Sequence, residues 1–319
     1  MSGNPAALEA ARTIEYRDAV TFQLAAMPGK LRPLVADTGS GSGTKLVKIE
    51  NRFDELDIQE KTQRNQKTTN TNPDLETRWI AKPPMQFVAP IIDRDDTVQT
   101  PIGVDSALAT QTSKATRRAQ DIRWLQGFYN NALVGGDEGS LTSVPFKAAN
   151  IMAVDTGEAG PAGITKNKLI AMGELMRVRL NDPEAETAIG LVTAKQISNL
   201  LKINELVNRD YTRADLEGSL MSGKPTPFMG FTWLWCEYSN GTKRGYGPAA
   251  ALTVDGNGYR RVPFFYASGM HWESWEEFFG RVTEMPDIHY NTQIYGSTTG
   301  AACRNNEDKC FQMLCLETP

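Results

Sequence analysis

Residues 59–77, QEKTQRNQKTTNTNPDLET, hold one apolar side chain, Leu75, in nineteen positions. Such a stretch has almost no apolar area whose burial could offset the entropy of ordering it. Yet it lies between two segments rich in apolar residues, KLVKIENRFDELDI (45–58) and RWIAKPPMQFVAPII (78–92). In the second, Met85, Phe87, Ala89 and Ile91 alternate with the period of a strand. Two strand-like flanks around a polar tip predict a long two-stranded arm, and loops as long as this tip are usually functional segments or linkers. The fold must carry an arm whose contacts lie outside its own core.

Composition narrows the classes open to the chain. Its 319 residues are 40% hydrophobic and 23% charged, ordinary for a globular protein and enough for one large core or two smaller ones. No run approaches the ~20 apolar residues of a membrane span, so no membrane partner is expected. The opening MSGNPAALEAARTIEYRDAV is amphipathic and mixed in charge, unlike a signal or transit peptide, which predicts a cytosol-like compartment. A net charge of −4 excludes the basic domain of a dedicated nucleic-acid binder, so any such contact must be local and weak. Cys236, Cys303, Cys310 and Cys315 match no common zinc spacing and are expected as buried thiols.

Periodicity orders the rest. Residues 5–27 read as a helix through Leu8, Ala11, Ile14 and Leu24, stopped at MPGK, and TGSGSGT (38–44) reads as a flexible linker. The strongest helix signal follows Thr100 and Pro101, a cap and a first-turn proline, with Asp105 at the positive end. Its apolar stripe runs Val104, Leu108, Ala115, Ala119, Ile122, Leu125, Tyr129 and Leu133 and stops at Gly135–Gly136. About 31 residues at 1.5 Å each predict a rod of roughly 46 Å, laid on a sheet and partly exposed. A second helix is expected in 164–182, a buried strand in TAIGLVTA (187–194) and a third helix in 194–207. Strands follow in GFTWLWCEY and in ALTVDGNGYRRVPFFYASGM, with a turn at Asp255–Gly258, and two more meet at the polar turn RNNEDK (304–309). The class is α+β, without an internal repeat.

Catalytic signatures fail one by one. GSGSGTK lacks phosphate-loop spacing, because Thr44 separates Gly43 from Lys45. HWE (271–273) matches half of a zinc-deaminase signature with no Pro-Cys-x-x-Cys to complete it, so His271 reads as a sheet residue. With only His271 and His289 in the chain, histidine triads and multi-histidine metal sites are excluded. Asp93, Asp95 and Asp96 have the chemistry to hold a hard cation in a metal-dependent hydrolase, but they precede a helix N-terminus, which favours carboxylates anyway. Glu273, Glu276 and Glu277 read as a solvated strand edge. One charge pattern remains: Lys114, Arg117 and Arg118, with Arg123 further on, form either a strip facing phosphate or a surface face in which Arg117 pairs with Asp121.

The order of parts resembles the tailed-bacteriophage major capsid proteins of the HK97-like fold. RWIAKPPMQFVAPIIDRDD resembles the returning strand of the extended loop entering the spine helix. AIGLVTAKQISNLLK resembles the axial domain's strand and helix, and FFGRVTEMPDIHYNTQIYGSTTGAACRNNEDKCFQMLCLE the strands that close the peripheral domain. The resemblance implies an N-terminal arm (1–43), an extended loop (44–98), a spine helix with the start of the peripheral domain (99–144), an axial domain (145–261) and peripheral return strands (262–319).

It also implies a structural role with no catalytic residue, metal or cofactor. The chain's main partner would be itself, in pentamers and hexamers that close an icosahedral shell around double-stranded DNA, with a portal and a separate scaffolding protein. The shell would be a virion capsid assembled in the bacterial cytoplasm. An encapsulin-like cargo compartment is the alternative within the same fold. Lys61, Arg64, Lys67 and Arg78 are expected at contacts between subunits, and Lys114, Arg117 and Arg118 facing packaged DNA. Lys61 and Lys67 have no identified asparagine partner, so the covalent cross-link made by some members of the family is not assigned.

Overall fold

The computed structural model describes residues 30–53, 75–93, 104–135, 140–179, 181–182, 184–203, 229–236 and 254–317, together with positions 58, 60, 61, 64 and 67. In chain order the strands begin with β1 (Asp37–Ser40), β2 (Leu46–Phe53), β3 (Leu75–Ala81), β4 (Gln86–Val88) and β5 (Ile91–Ile92). Helix α1 (Val104–Tyr129) leads to β6 (Ala132–Val134), β7 (Thr142–Val144) and β8 (Ile151–Met152). Then come α2 (Lys166–Val178), β9 (Ala188–Val192), α3 (Ala194–Leu200), β10 (Phe231–Trp235) and β11 (Tyr259–Phe265). Two long strands, β12 (Met270–Met285) and β13 (Asn291–Arg304), and a final β14 (Cys310–Leu316) complete the chain. The expected helix at 5–27, and Asp95, Asp96 and the cap at Thr100, lie outside the described residues.

The strands form three sheets among the described residues. The long-strand sheet runs β1-β12-β13-β4, with β5 also on β13. The mixed sheet runs β10-β9-β11-β14-β8, and the arm sheet β2-β3-β6-β7. At 26 residues α1 is a rod of about 39 Å. Its Trp124, Leu125 and Phe128 pack on Met270 and Trp272 of the long-strand sheet and on Phe265. Alternate residues of β13 point the other way, so that Cys303 meets Ile49 and Ile80 of the arm sheet. The long-strand sheet is thus covered on one face by the rod and on the other by the arm's root. A separate core lies under α2, where Leu169, Met172 and Met176 cover Val192, Phe264, Phe311 and Met313 of the mixed sheet.

Four expectations change. The rod ends at Tyr129, and Leu133 belongs to β6. A buried guanidinium, that of Arg304, donates to the carbonyls of Phe128 and Asn130 and so closes the helix earlier than the glycines predict. The glycine run is no linker at its start: Thr38–Ser40 pairs in parallel with Trp272–Ser274. Gly39 and Gly41 are needed because a Cβ there would meet the Glu273 carboxylate and the Trp275 indole at 2.0 and 2.6 Å. The strand expected through 78–92 breaks at Pro83–Pro84, where the ladder loses its donors. The strands on either side of RNNEDK do not pair, since β14 lies with β11 and β8 in the mixed sheet and RNNEDK is the crossing between sheets, not a hairpin turn.

All four cysteines are free and buried. Burial pushes the thiols of Cys303 and Cys315 up to about 12, and that of Cys310 upward as well. A folded-state value above the unfolded 9.0 contributes stability in full below pH 9, and that stability is lost as pH rises toward 12. Each titrating thiol is worth about 1.4 kcal/mol per pH unit. Lys168 opposes the trend: its ammonium is buried on the carbonyls of Val154, Ala162 and Leu314, and desolvation lowers its pKa. Three raised thiols act against one lowered ammonium, so unfolding free energy should fall steadily as pH rises above 9. Urea titrations from pH 8 to 10.5 check this, with Cys303→Ala and Cys315→Ala expected to flatten the slope.

Candidate assembly surface

The arm is rooted before it is free. On β3 the period of two places Arg78 and Ile80 on one face, the face turned to the long-strand sheet. Arg78 is therefore 5% exposed. Its guanidinium donates to the Arg304 carbonyl at 2.8 Å and to Glu307 at 3.0 Å. Arg304, fully buried, adds two bonds to the same carboxylate, at 2.9 and 3.0 Å. The expected contact with a neighbour through Arg78 is corrected: this cation fastens the arm to its own subunit. The alternation RWI carried that signal, since a cation in phase with a buried isoleucine points inward.

Beyond the root, Lys61, Arg64 and Lys67 are exposed, as is Glu60. The remainder of 54–74 lies outside the described residues. Ile58 is 96% exposed, the one large apolar side chain among the described positions between β2 and β3. A single isoleucine has no period and so gives no signal in the sequence.

A second exposed element faces outward on the long-strand sheet. Register shifts at Ser274/Glu276 and Glu276/Phe279 mark a bulge in β12. Gln120 of α1 holds it, donating to the Glu277 carbonyl at 2.8 Å and to the Thr298 hydroxyl at 3.0 Å. The bulge re-aims the strand, and beyond it most of β12 is exposed. On the face away from α1, Tyr295 stacks with Phe87 at 6.1 Å between centroids and meets Phe279 edge-on at 6.2 Å. Phe87, Ile91 and Phe279, on that face by their register with β13 and β12, are each exposed. Contiguous apolar exposure of this kind marks surfaces that meet other proteins. The strand period in 85–91 signalled one face of this patch, and only the pairing of β4 and β5 with β13 completes it.

The basic strip lies on α1. Thr112, Thr116 and Gln120 form its sheet-facing side, Arg117 points to solvent, and Lys114 and Arg118 are half-buried. Asp121, the expected partner of Arg117, is fully buried and accepts from the backbone N–H groups of Lys30, Leu31 and Arg32 at 2.6, 2.9 and 3.3 Å. Arg123 departs from the strip, lying nine residues or about two and a half turns from Lys114 and hence on the opposite face.

The acidic candidates do not converge. Glu273 is buried rather than solvated, and His271 is held between it and Asp37, with ring nitrogens 3.0 and 2.7 Å from their carboxylates. Glu276 accepts from Ser297, while Glu277 pairs with Arg32 at 2.7 Å. Among the described residues no group of three His, Cys, Asp or Glu side chains is placed to hold a metal ion.

Comparison with known proteins identifies the family and the fold. The family described as phage capsid protein matches residues 8–317 of the chain. The mature capsid of bacteriophage PhiM1 is similar over 92% of this chain and 89% of its own, at 13% identity and a TM-score of 0.64. The capsid of cyanophage P-SCSP1u gives 92% and 90%, 12% identity and 0.65. That of Helicobacter pylori bacteriophage KHP30 gives 99% and 98%, 10% and 0.61. No curated protein matches the sequence significantly.

Proposed function

The chain belongs to the phage capsid protein family and has its HK97-like α+β fold, and on that premise we propose how copies of it join. Its role is structural and not enzymatic, as a major capsid protein of a virion shell built by self-association. Subunits associate into pentamers and hexamers that close an icosahedral shell around double-stranded DNA. The arm at 44–98 reaches over the next subunit of the ring, and Lys61, Arg64 and Lys67 make wet, polar contacts there. The rod and β12–β13 stiffen the wall, while the domain carrying α2 and α3 lies at the ring's centre. Lys114, Arg117 and Arg118 face the packaged DNA, where few cations in a chain of net charge −4 hold the cargo loosely. A portal and a separate scaffolding protein complete assembly in the host cytoplasm.

The observation that carries this reading is an arm fastened at its root by buried Ile49, Ile80 and Arg78 whose described outer positions are all exposed. A folded chain fixes such a base only to present what lies beyond it. Negative-stain electron microscopy with light scattering on the purified protein tests it. Rings or closed shells in the megadalton range, carrying DNA when isolated from infected cells, are the expected result. A protein that stays monomeric with scaffold present, and whose arm resists protease, would refute it.

A further inference from the structure

A crevice of about 220 Å³ lies at the root of the arm, between β3, the last turns of α1 and β13. Its walls include Trp79, Ile80, Pro83 and Leu133, with Asn131 exposed at its rim and Arg123 on one side. The Arg123 guanidinium meets only neutral acceptors among the described residues, Gln126 Oε1 at 3.1 Å and the Pro84 carbonyl at 3.4 Å. Its Nε is buried with no acceptor among the described residues. Partial desolvation lowers its pKa, the mark of a cation without its counter-ion. The site is an apolar slot with an unsatisfied positive charge.

The complementary object is in the same chain. Ile58, 96% exposed, sits in DELDIQE (54–60), where four carboxylates surround it and no cation occurs. A chain that assembles with itself carries a slot asking for one aliphatic side chain and one carboxylate, and an exposed segment offering both. We propose that the crevice of each subunit receives Ile58 of a neighbouring subunit's arm, with a carboxylate of the same flank pairing with Arg123. The slot's volume suits one side chain of that size, and the exposed end of the Arg123 guanidinium, bonded there only to the Pro84 carbonyl, is where a carboxylate would pair. This rests on the assembly reading above, and it adds a second grip to the contacts of the polar tip, at the acidic stretch just beyond β2.

The test is a cross-link. Ile58→Cys with Asn131→Cys places thiols on the two partners, in a Cys303→Ala background because Cys303 lines the same crevice. Mild oxidation of assembled particles should give a ladder of covalent dimers up to closed rings on denaturing gels, and either single variant should give none. Arg123→Gln and Ile58→Ser should each raise the protein concentration for half-assembly about fivefold, with subunit melting unchanged because neither side chain supports the core. Normal particles that yield no ladder, or an Arg123→Gln protein that assembles at the wild-type concentration, would overturn the grip while leaving assembly intact. Wild-type protein that forms no particles under any condition would overturn the assembly reading and this inference with it.

Discussion

Deleting residues 60–76 should abolish rings and shells while leaving a folded subunit. The stretch holds one apolar side chain, Leu75, and the arm core of Ile49, Ile80 and Cys303 lies outside it. Pairing from Leu46↔Ala81 to Ile49↔Arg78 also survives the cut. A shorter connection changes loop-closure entropy by about 0.6 kcal/mol per halving, in the stabilising direction. Subunit stability is therefore expected within about 1 kcal/mol of the intact chain. Assembly has no such reserve, because each subunit loses its reach to the next and the loss repeats around every ring. Sedimentation and electron microscopy on matched samples check both halves. Shells of normal size from the deleted chain would refute the role given to the arm, and a deleted chain that cannot fold would show the polar stretch to be part of the core.

Replacing Glu307 by Ala should cost about 3 kcal/mol of unfolding free energy, within the range for removing one partner of a buried ion pair. The carboxylate serves two guanidiniums: Arg304 has no exposed surface, and the side chain of Arg78 is 6% exposed. Without it Arg304 keeps the carbonyls of Phe128 and Asn130, and Arg78 keeps the Arg304 carbonyl. Both charges then sit in low dielectric without the carboxylate they share. Glu307→Gln retains an acceptor but no charge, and should lose about half as much. Because Arg78 belongs to β3 and Arg304 caps the rod, the variant should also loosen the arm against the rod, seen as faster hydrogen exchange at β3. Urea unfolding with an unchanged m-value measures the first effect. A loss under 1 kcal/mol would mean that the carbonyls alone satisfy the two cations.

Several parts were legible because their signal is local. The stripe from Leu108 to Tyr129 has one helical period, and α1 follows it. The helix expected in 164–182 forms as α2, and the Thr165 side chain caps it by accepting from the Lys168 N–H. Asp255 to Gly258 reads as a turn, and the Asp255 carboxylate accepts from the N–H groups of Asn257 and Tyr259. The exposed cations of the arm were legible for the same reason: a polar stretch without apolar neighbours has no interior to enter.

What escaped is non-local. Arg78 looks like its exposed companions until Glu307 is brought to it from 229 positions away. Asp121 looks like half of a helical ion pair until the backbone at 30–32 arrives to take its carboxylate. Gly39 looks like a linker residue until Glu273 packs against its Cα, and β14 looks like a partner of β13 until the mixed sheet claims it. By itself the sequence determined that the chain is α+β, that it builds a rod and an arm, and that the arm cannot satisfy itself, because these follow from periodicity and polarity along the chain. The tertiary structure alone decided which charges face inward, where the rod stops and which exposed surfaces form one face. Those outcomes depend on distances between residues remote in sequence, and on low dielectric that exists only after the chain has folded.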